Sequence, residues 1–162
     1  MSSERRAGSE VTRLKPHHFV DIITSFGRGV PFTPHPYGHA LHSVAERIVA
    51  DRDALIEVEL GADDICGPCV HNVGGACDDT IDTSFRPAAP ASKEAWNRRL
   101  DRRWSERLGL RPGDRLTART FCAKLRDQLG RMGEVYREMP ADHTASRSQN
   151  LATGIRRFLE DG

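Results

Sequence analysis

Apolar positions fall at helical spacing along most of the chain. Between Lys15 and Phe26 they are Phe19, Ile22, Ile23 and Phe26, a pattern that makes one face of a helix apolar. Pro16 suits the first turn, where a missing N–H costs nothing, and Gly27 and Gly29 read as the end. Pro31, Pro34 and Pro36 then mark a loop. A second helix is predicted from about Gly38 to Ala50, with Leu41, Val44, Ala45 and Ile48 on one face. Ser92 is a good N-cap for a third, which carries Trp96, Leu100, Trp104 and Leu108 at steps of four. Arg111-Pro-Gly-Asp114 reads as a turn. Thr117 reads as the cap of a helix with Phe121, Leu125, Leu129 and Met132 inward, and Pro140 precedes a last helix over about Ser146–Leu159. Only Leu55–Leu60 alternates with period two, as a strand half facing water does. The fold class expected is mainly α with a small β component (α+β). Residues 1–12 read as a flexible leader and residues 13–162 as a single globular domain with a Gly-rich metal-binding loop.

The 162 residues match one domain. No apolar run approaches the roughly 20 residues of a membrane span. Met1–Glu10 lacks the apolar core of a secretory signal. The expectation is a cytoplasmic protein with no membrane partner and with reduced thiols. Net charge is +1, but residues 1–81 hold 7 Lys/Arg against 12 Asp/Glu, and residues 82–162 hold 17 against 11.

The densest chemistry is Asp63-Asp-Ile-Cys66-Gly-Pro-Cys69-Val-His-Asn-Val-Gly-Gly-Ala-Cys77. A two-residue spacer lets both thiolates of C-x-x-C turn towards one metal centre. Two glycines before Cys77 let the backbone bend so that a third closes on the same point. Three soft ligands suit an iron–sulphur cluster or zinc. Cys122 is the natural fourth, since Ala118, Cys122, Leu125 and Leu129 share an inward helix face, and His71 is a reserve ligand. Two other readings stay open. Cys66-Gly-Pro-Cys69 equals a thioredoxin dithiol letter for letter, although the strand and helix that activate that dithiol are missing from the pattern. Cys122 is also explained as a plain buried thiol.

His17 and Asp21 sit at i and i+4 and share a helix face. They would be a ligand with its orienter, an acid/base pair, or a surface pair at a helix start. His35, His39 and His42 surround the Pro-rich loop and read as surface residues. Arg98, Arg99, Arg102, Arg103, Arg107, Arg111, Arg115 and Arg119 form a basic stretch. A solvated helix face is preferred to a patch that tracks nucleic-acid phosphates. A third reading has these guanidinium groups offset the negative charge of a [4Fe–4S] centre.

Three motifs carry a resemblance: R-L-K-P-H-H at 13–18, D-D-I-C-x-P-C at 63–69 and L-G-L-R-P-G-D at 108–114. Together they are similar to an uncharacterised bacterial and archaeal family of short proteins, a domain of unknown function suspected of iron–sulphur binding. The resemblance spans roughly residues 12–130. Family members carry Cys three positions after the second histidine, where this chain has Asp21.

The preferred expectation is an iron–sulphur protein, [4Fe–4S] ahead of other clusters, held by Cys66, Cys69, Cys77 and Cys122. Its partner would be a redox protein or a small molecule, with electron transfer and cluster chemistry both open. The alternatives are a zinc-stabilised module whose Arg-rich helix meets an acidic partner, and a thiol oxidoreductase using Cys66 and Cys69; nucleic acid would be met, if at all, through Arg98–Arg119. No P-loop, G-x-S-x-G or H-E-x-x-H motif is present.

Overall fold

Val11 to Leu14 alternate in burial, Thr12 and Leu14 inside and Arg13 outside, and they form the first strand. The computed structural model describes residues 10–160 and is 50% helical with 11% strand. In chain order the elements are β1 (Val11–Leu14), α1 (Pro16–Arg28), α2 (Leu41–Ala50), β2 (Leu55–Val58), β3 (Asn72–Val73), β4 (Ala76–Cys77), α3 (Lys93–Leu108), β5 (Arg115–Thr117), α4 (Ala118–Arg126), a 3-10 turn (Leu129–Arg131), α5 (Met132–Val135) and α6 (Ala141–Glu160). A mainly α, α+β domain is the result.

The sheet runs β1–β2–β5. β1 and β2 are parallel, with Val11 opposite Leu55 and Leu14 opposite Val58. Parallel neighbours need a crossover, which α1 and α2 supply. β5 returns antiparallel along β2. Leu14, Phe19, Ile23, Ile48, Ile56, Phe121 and Phe158 are fully buried in one core. Phe19 stacks on Phe121 at 4.2 Å. The expected caps are present: Ser92 Oγ accepts from Ala95 N at 3.1 Å, and Thr117 Oγ1 accepts from Thr120 N at 3.1 Å. Among the described residues no helix is long and apolar enough to cross a membrane.

Several boundaries differ from expectation. Of the expected leader, residues 1–9 lie outside the described residues, while Val11 and Thr12 belong to β1. Thr12 is fixed there because its hydroxyl accepts from Arg47 Nη2 at 2.6 Å. α1 ends at Gly29, which takes φ +73°, and Gly27 lies inside the helix. The helix expected to reach Met132 stops at Arg126. Glycines at 130 and 133 follow, and Met132 is buried from α5 instead. α6 starts five residues earlier than expected, with the Pro140 carbonyl accepting from Thr144 N at 3.2 Å.

The arginine stretch is largely neutralised by carboxylates. Arg98 pairs with Glu94, Arg99 and Arg103 with Glu138, Arg107 with Glu134, Arg115 with Glu57 and Arg119 with Asp53. Arg103 grips Glu138 in a fork, Nη1 to Oε1 and Nη2 to Oε2, both at 2.7 Å. That hydrogen bonding holds the Glu138 carboxyl at about 2, below its ordinary 4.5. A depressed carboxyl stabilises the fold above its unfolded pKa and loses that contribution as pH falls through the folded one. Glu138→Gln is expected to cost roughly 2 kcal/mol at neutral pH. Denaturant titrations should show the gap from the parent closing between about pH 4.5 and 2.

Candidate metal centre

The site is organised by the N-terminus of α1. Pro16 occupies the first helical position, and the leading N–H groups lack a side-chain cap from their own segment. Two buried carboxylates from elsewhere serve instead, where the positive end of the helix favours negative charge. Asp101, fully buried on α3, accepts from His17 N at 2.7 Å. Asp63 accepts from Lys15 N at 2.7 Å. Each carboxylate also takes one imidazole. His17 Nδ1 lies 2.8 and 2.9 Å from the Asp101 oxygens, and His18 Nδ1 lies 2.7 Å from Asp63 Oδ2. The two rings are 4.3 Å apart. Both histidines are thereby oriented through Nδ1, as carboxylates orient metal-binding or catalytic imidazoles.

Asp63 ties this helix start to the cysteine loop. Its Oδ1 accepts from Ile65 N at 3.1 Å and Cys66 N at 3.0 Å. Burial alone would raise its pKa, but His18 and the donated N–H groups hold it well below the usual carboxylate range. Cys66 therefore begins a turn anchored beside His18, and Cys69 N closes that turn on the Cys66 carbonyl at 2.9 Å. Among the described residues, His18, Asp63 and Cys66 are a group whose donor atoms all lie within 4.8 Å of one another.

Cys77 arrives by a hairpin that the sequence reading missed. β3 and β4 are joined by Gly74 and Gly75 at φ +61° and +87°, the left-handed pair a two-residue hairpin turn requires. The turn sets Cys77 opposite Asn72, and Glu94 of α3 accepts from Cys77 N at 2.9 Å. As a result Cys66, Cys69 and Cys77 line one cavity of about 190 Å³, together with His18, Asp21 and His71. His71 is held by Asp78 at 2.7 Å on the exposed side. His39 also reaches this cavity, while His35 stacks on it at 4.5 Å.

Lys15 lines a second, smaller hollow of about 30 Å³ beside the same three cysteines. It is only 2% exposed. Its ammonium has no carboxylate ion pair among the described residues. Burial works against that charge, yet Cys66, Asp63, Asp101 and Glu94 around it hold its pKa above the ordinary lysine value. A buried cation is costly unless negative charge faces it, and the cavity it lines is walled by thiols.

Two expectations are corrected. Cys122 does not join the other cysteines. It lies fully buried on α4 in the main core, lines neither cysteine cavity, and burial pushes its thiol up to about 12. Helical periodicity places it inward, and inward here means the main hydrophobic core. His17 and Asp21 do share a face and a cavity, but they do not bond to each other. Asp101 takes the histidine, and Arg147 of α6 takes Asp21 at 3.0 Å. Of the three resembling motifs, the first two meet at this site. The third forms the turn before β5, where Asp114 O accepts from Val58 N at 2.9 Å. No protein-family model, curated protein or solved structure matches the chain.

Proposed function

We propose that this protein holds an iron–sulphur cluster on Cys66, Cys69 and Cys77, with His18 as the fourth ligand, and uses it for electron transfer or for chemistry on a small molecule. The observation that carries this reading is the shared cavity: three thiols from one loop and an imidazole already fixed by a buried carboxylate face the same space. Lys15 supports it, because its buried ammonium stands against the same three cysteines and would offset the negative charge of a thiolate-ligated cluster. Zinc is the other reading. The same three thiols and the His18 imidazole also make a four-ligand set of the kind tetrahedral zinc takes, and iron and sulphide analysis separates the two.

A dithiol oxidoreductase is less well supported. Cys66 sits in a turn and not at a helix start. Burial and the Asp63 charge push its thiol up to about 11, the opposite of an activated nucleophile. A bound metal deprotonates such a thiol outright.

The test is a set of single variants purified without oxygen. Cys66→Ser and Cys69→Ser are expected to lose stoichiometric metal. Cys122→Ala is expected to keep its full metal content and visible spectrum, with a stability loss of about 1 kcal/mol for a trimmed core side chain. Metal lost from Cys122→Ala but retained by Cys66→Ser would overturn the ligand assignment.

A further inference from the structure

We infer that a second cavity, adjoining the cysteine cavity, binds a small organic anion: a carboxylate or phosphate group on an apolar body. It measures about 370 Å³ and lies between the start of α1, the 80–86 segment, α3 and α6, a size usual for small-molecule sites. Arg86, Lys93 and Arg147 outnumber Asp21 and Asp82 on its walls. Two of the three cations are already answered. Arg147 is bonded to Asp21 at 3.0 Å, and Lys93 Nζ stands 3.7 Å from Asp79.

Arg86 is different. It makes no carboxylate ion pair among the described residues. Its Nε donates to the Asp82 carbonyl at 2.8 Å, and its Nη1 reaches only Met139 Sδ at 3.7 Å. The guanidinium is held over the rings of Phe85 at 4.7 Å and Trp96 at 5.5 Å. A positioned, half-buried guanidinium with unspent donors fits a carboxylate or phosphate in a two-pronged contact. Lys93, whose ammonium stands 3.7 Å from Asp79, is the second cation on the wall. Trp96, Leu100 and Met139 supply an apolar wall for the rest of the molecule. Asp21, Lys93 and Asn97 line both cavities, so a molecule bound here is separated from the cysteine cavity by single side chains. The inference rests on this cavity and not on what the cysteines hold.

Isothermal titration of the purified chain with benzoate, phenyl phosphate and neutral benzyl alcohol, at matched ionic strength, tests it. Saturable one-to-one binding of benzoate or phenyl phosphate, and none of benzyl alcohol, is expected. The tighter anion distinguishes a carboxylate site from a phosphate site. Arg86→Gln should weaken that anion by about tenfold or more, with Arg102→Gln, which lines a different groove, unchanged. Lys93→Gln should also weaken it and serves if Arg86→Gln does not fold. No saturable binding of either anion, equal binding of benzyl alcohol, or parental affinity in both Arg86→Gln and Lys93→Gln would overturn the inference. Anion binding by protein that carries no metal upholds this site while counting against the metal reading. Metal-loaded protein that binds neither anion does the reverse.

Discussion

Gly154→Ala is expected to destabilise this protein by about 3 kcal/mol or more, although alanine ordinarily improves a helix interior by about 1 kcal/mol over glycine. The reason is the crossing of α1 and α6, the most extensive helix contact in the fold. At the crossing the two backbones touch through Gly27 and Gly154. A Cβ on Gly154 would run into the carbonyl of Ile23, and one on Gly27 into the carbonyl of Asn150. Both obstacles are backbone atoms, which cannot rotate away as a side chain can. The only relief is to separate α1 from α6, which opens the core around Ile23 and Phe158 and shifts the end of α1 that carries His17 and His18. Urea unfolding should show the midpoint falling for Gly154→Ala. A midpoint that holds or rises would mean the helices are farther apart than described.

Asp63→Ala is the second large effect. The Asp63 carboxylate accepts from Lys15 N, Ile65 N, Cys66 N and His18 Nδ1. Alanine leaves three backbone donors without partners and frees the imidazole. Each buried unsatisfied donor costs about 1–3 kcal/mol. With partial rescue by water, the expected loss is about 4 kcal/mol, together with loss of the metal proposed for this site. Asp63→Asn keeps the volume and an accepting oxygen but turns an NH₂ towards N–H donors. It should fall between the parent and Asp63→Ala in both stability and metal content. Thermal unfolding and metal analysis on the same samples check both quantities. An Asp63→Ala protein as stable and as metal-rich as the parent would contradict the role given to this carboxylate.

How much of this was legible in the sequence depends on range along the chain. Local signals were read correctly where one short segment decides the outcome: the Ser92 and Thr117 caps, the Arg111–Asp114 turn and the apolar face of α3. The cysteine loop was also found locally, because C-x-x-C and two glycines announce a bend. The short strands were not read. β1 and β5 exist because β2 pairs with both, and three or four residues carry too little pattern to show it. The site's frame was missed for the same reason. Asp63 precedes Cys66 in the quoted motif, but nothing local says that it holds His18, 45 residues away. Asp101 is one carboxylate in a charged helix until His17, 84 residues away, reaches it. The i, i+4 pairing of His17 with Asp21 was the best local guess. It failed because a buried carboxylate and an arginine from other helices compete for the two side chains. Cys122 shows the limit of periodicity, which identifies an inward face but not what that face meets.

The most direct measurement is the composition and visible spectrum of the parent protein, expressed and purified without exposure to oxygen. The account expects a brown protein with a broad absorption that bleaches on reduction. Iron and acid-labile sulphide should be present in comparable amounts and lost together from Cys66→Ser. A colourless protein with stoichiometric zinc and no sulphide would contradict the cluster and leave a zinc site on the same residues. A protein with neither metal would contradict the metal centre altogether.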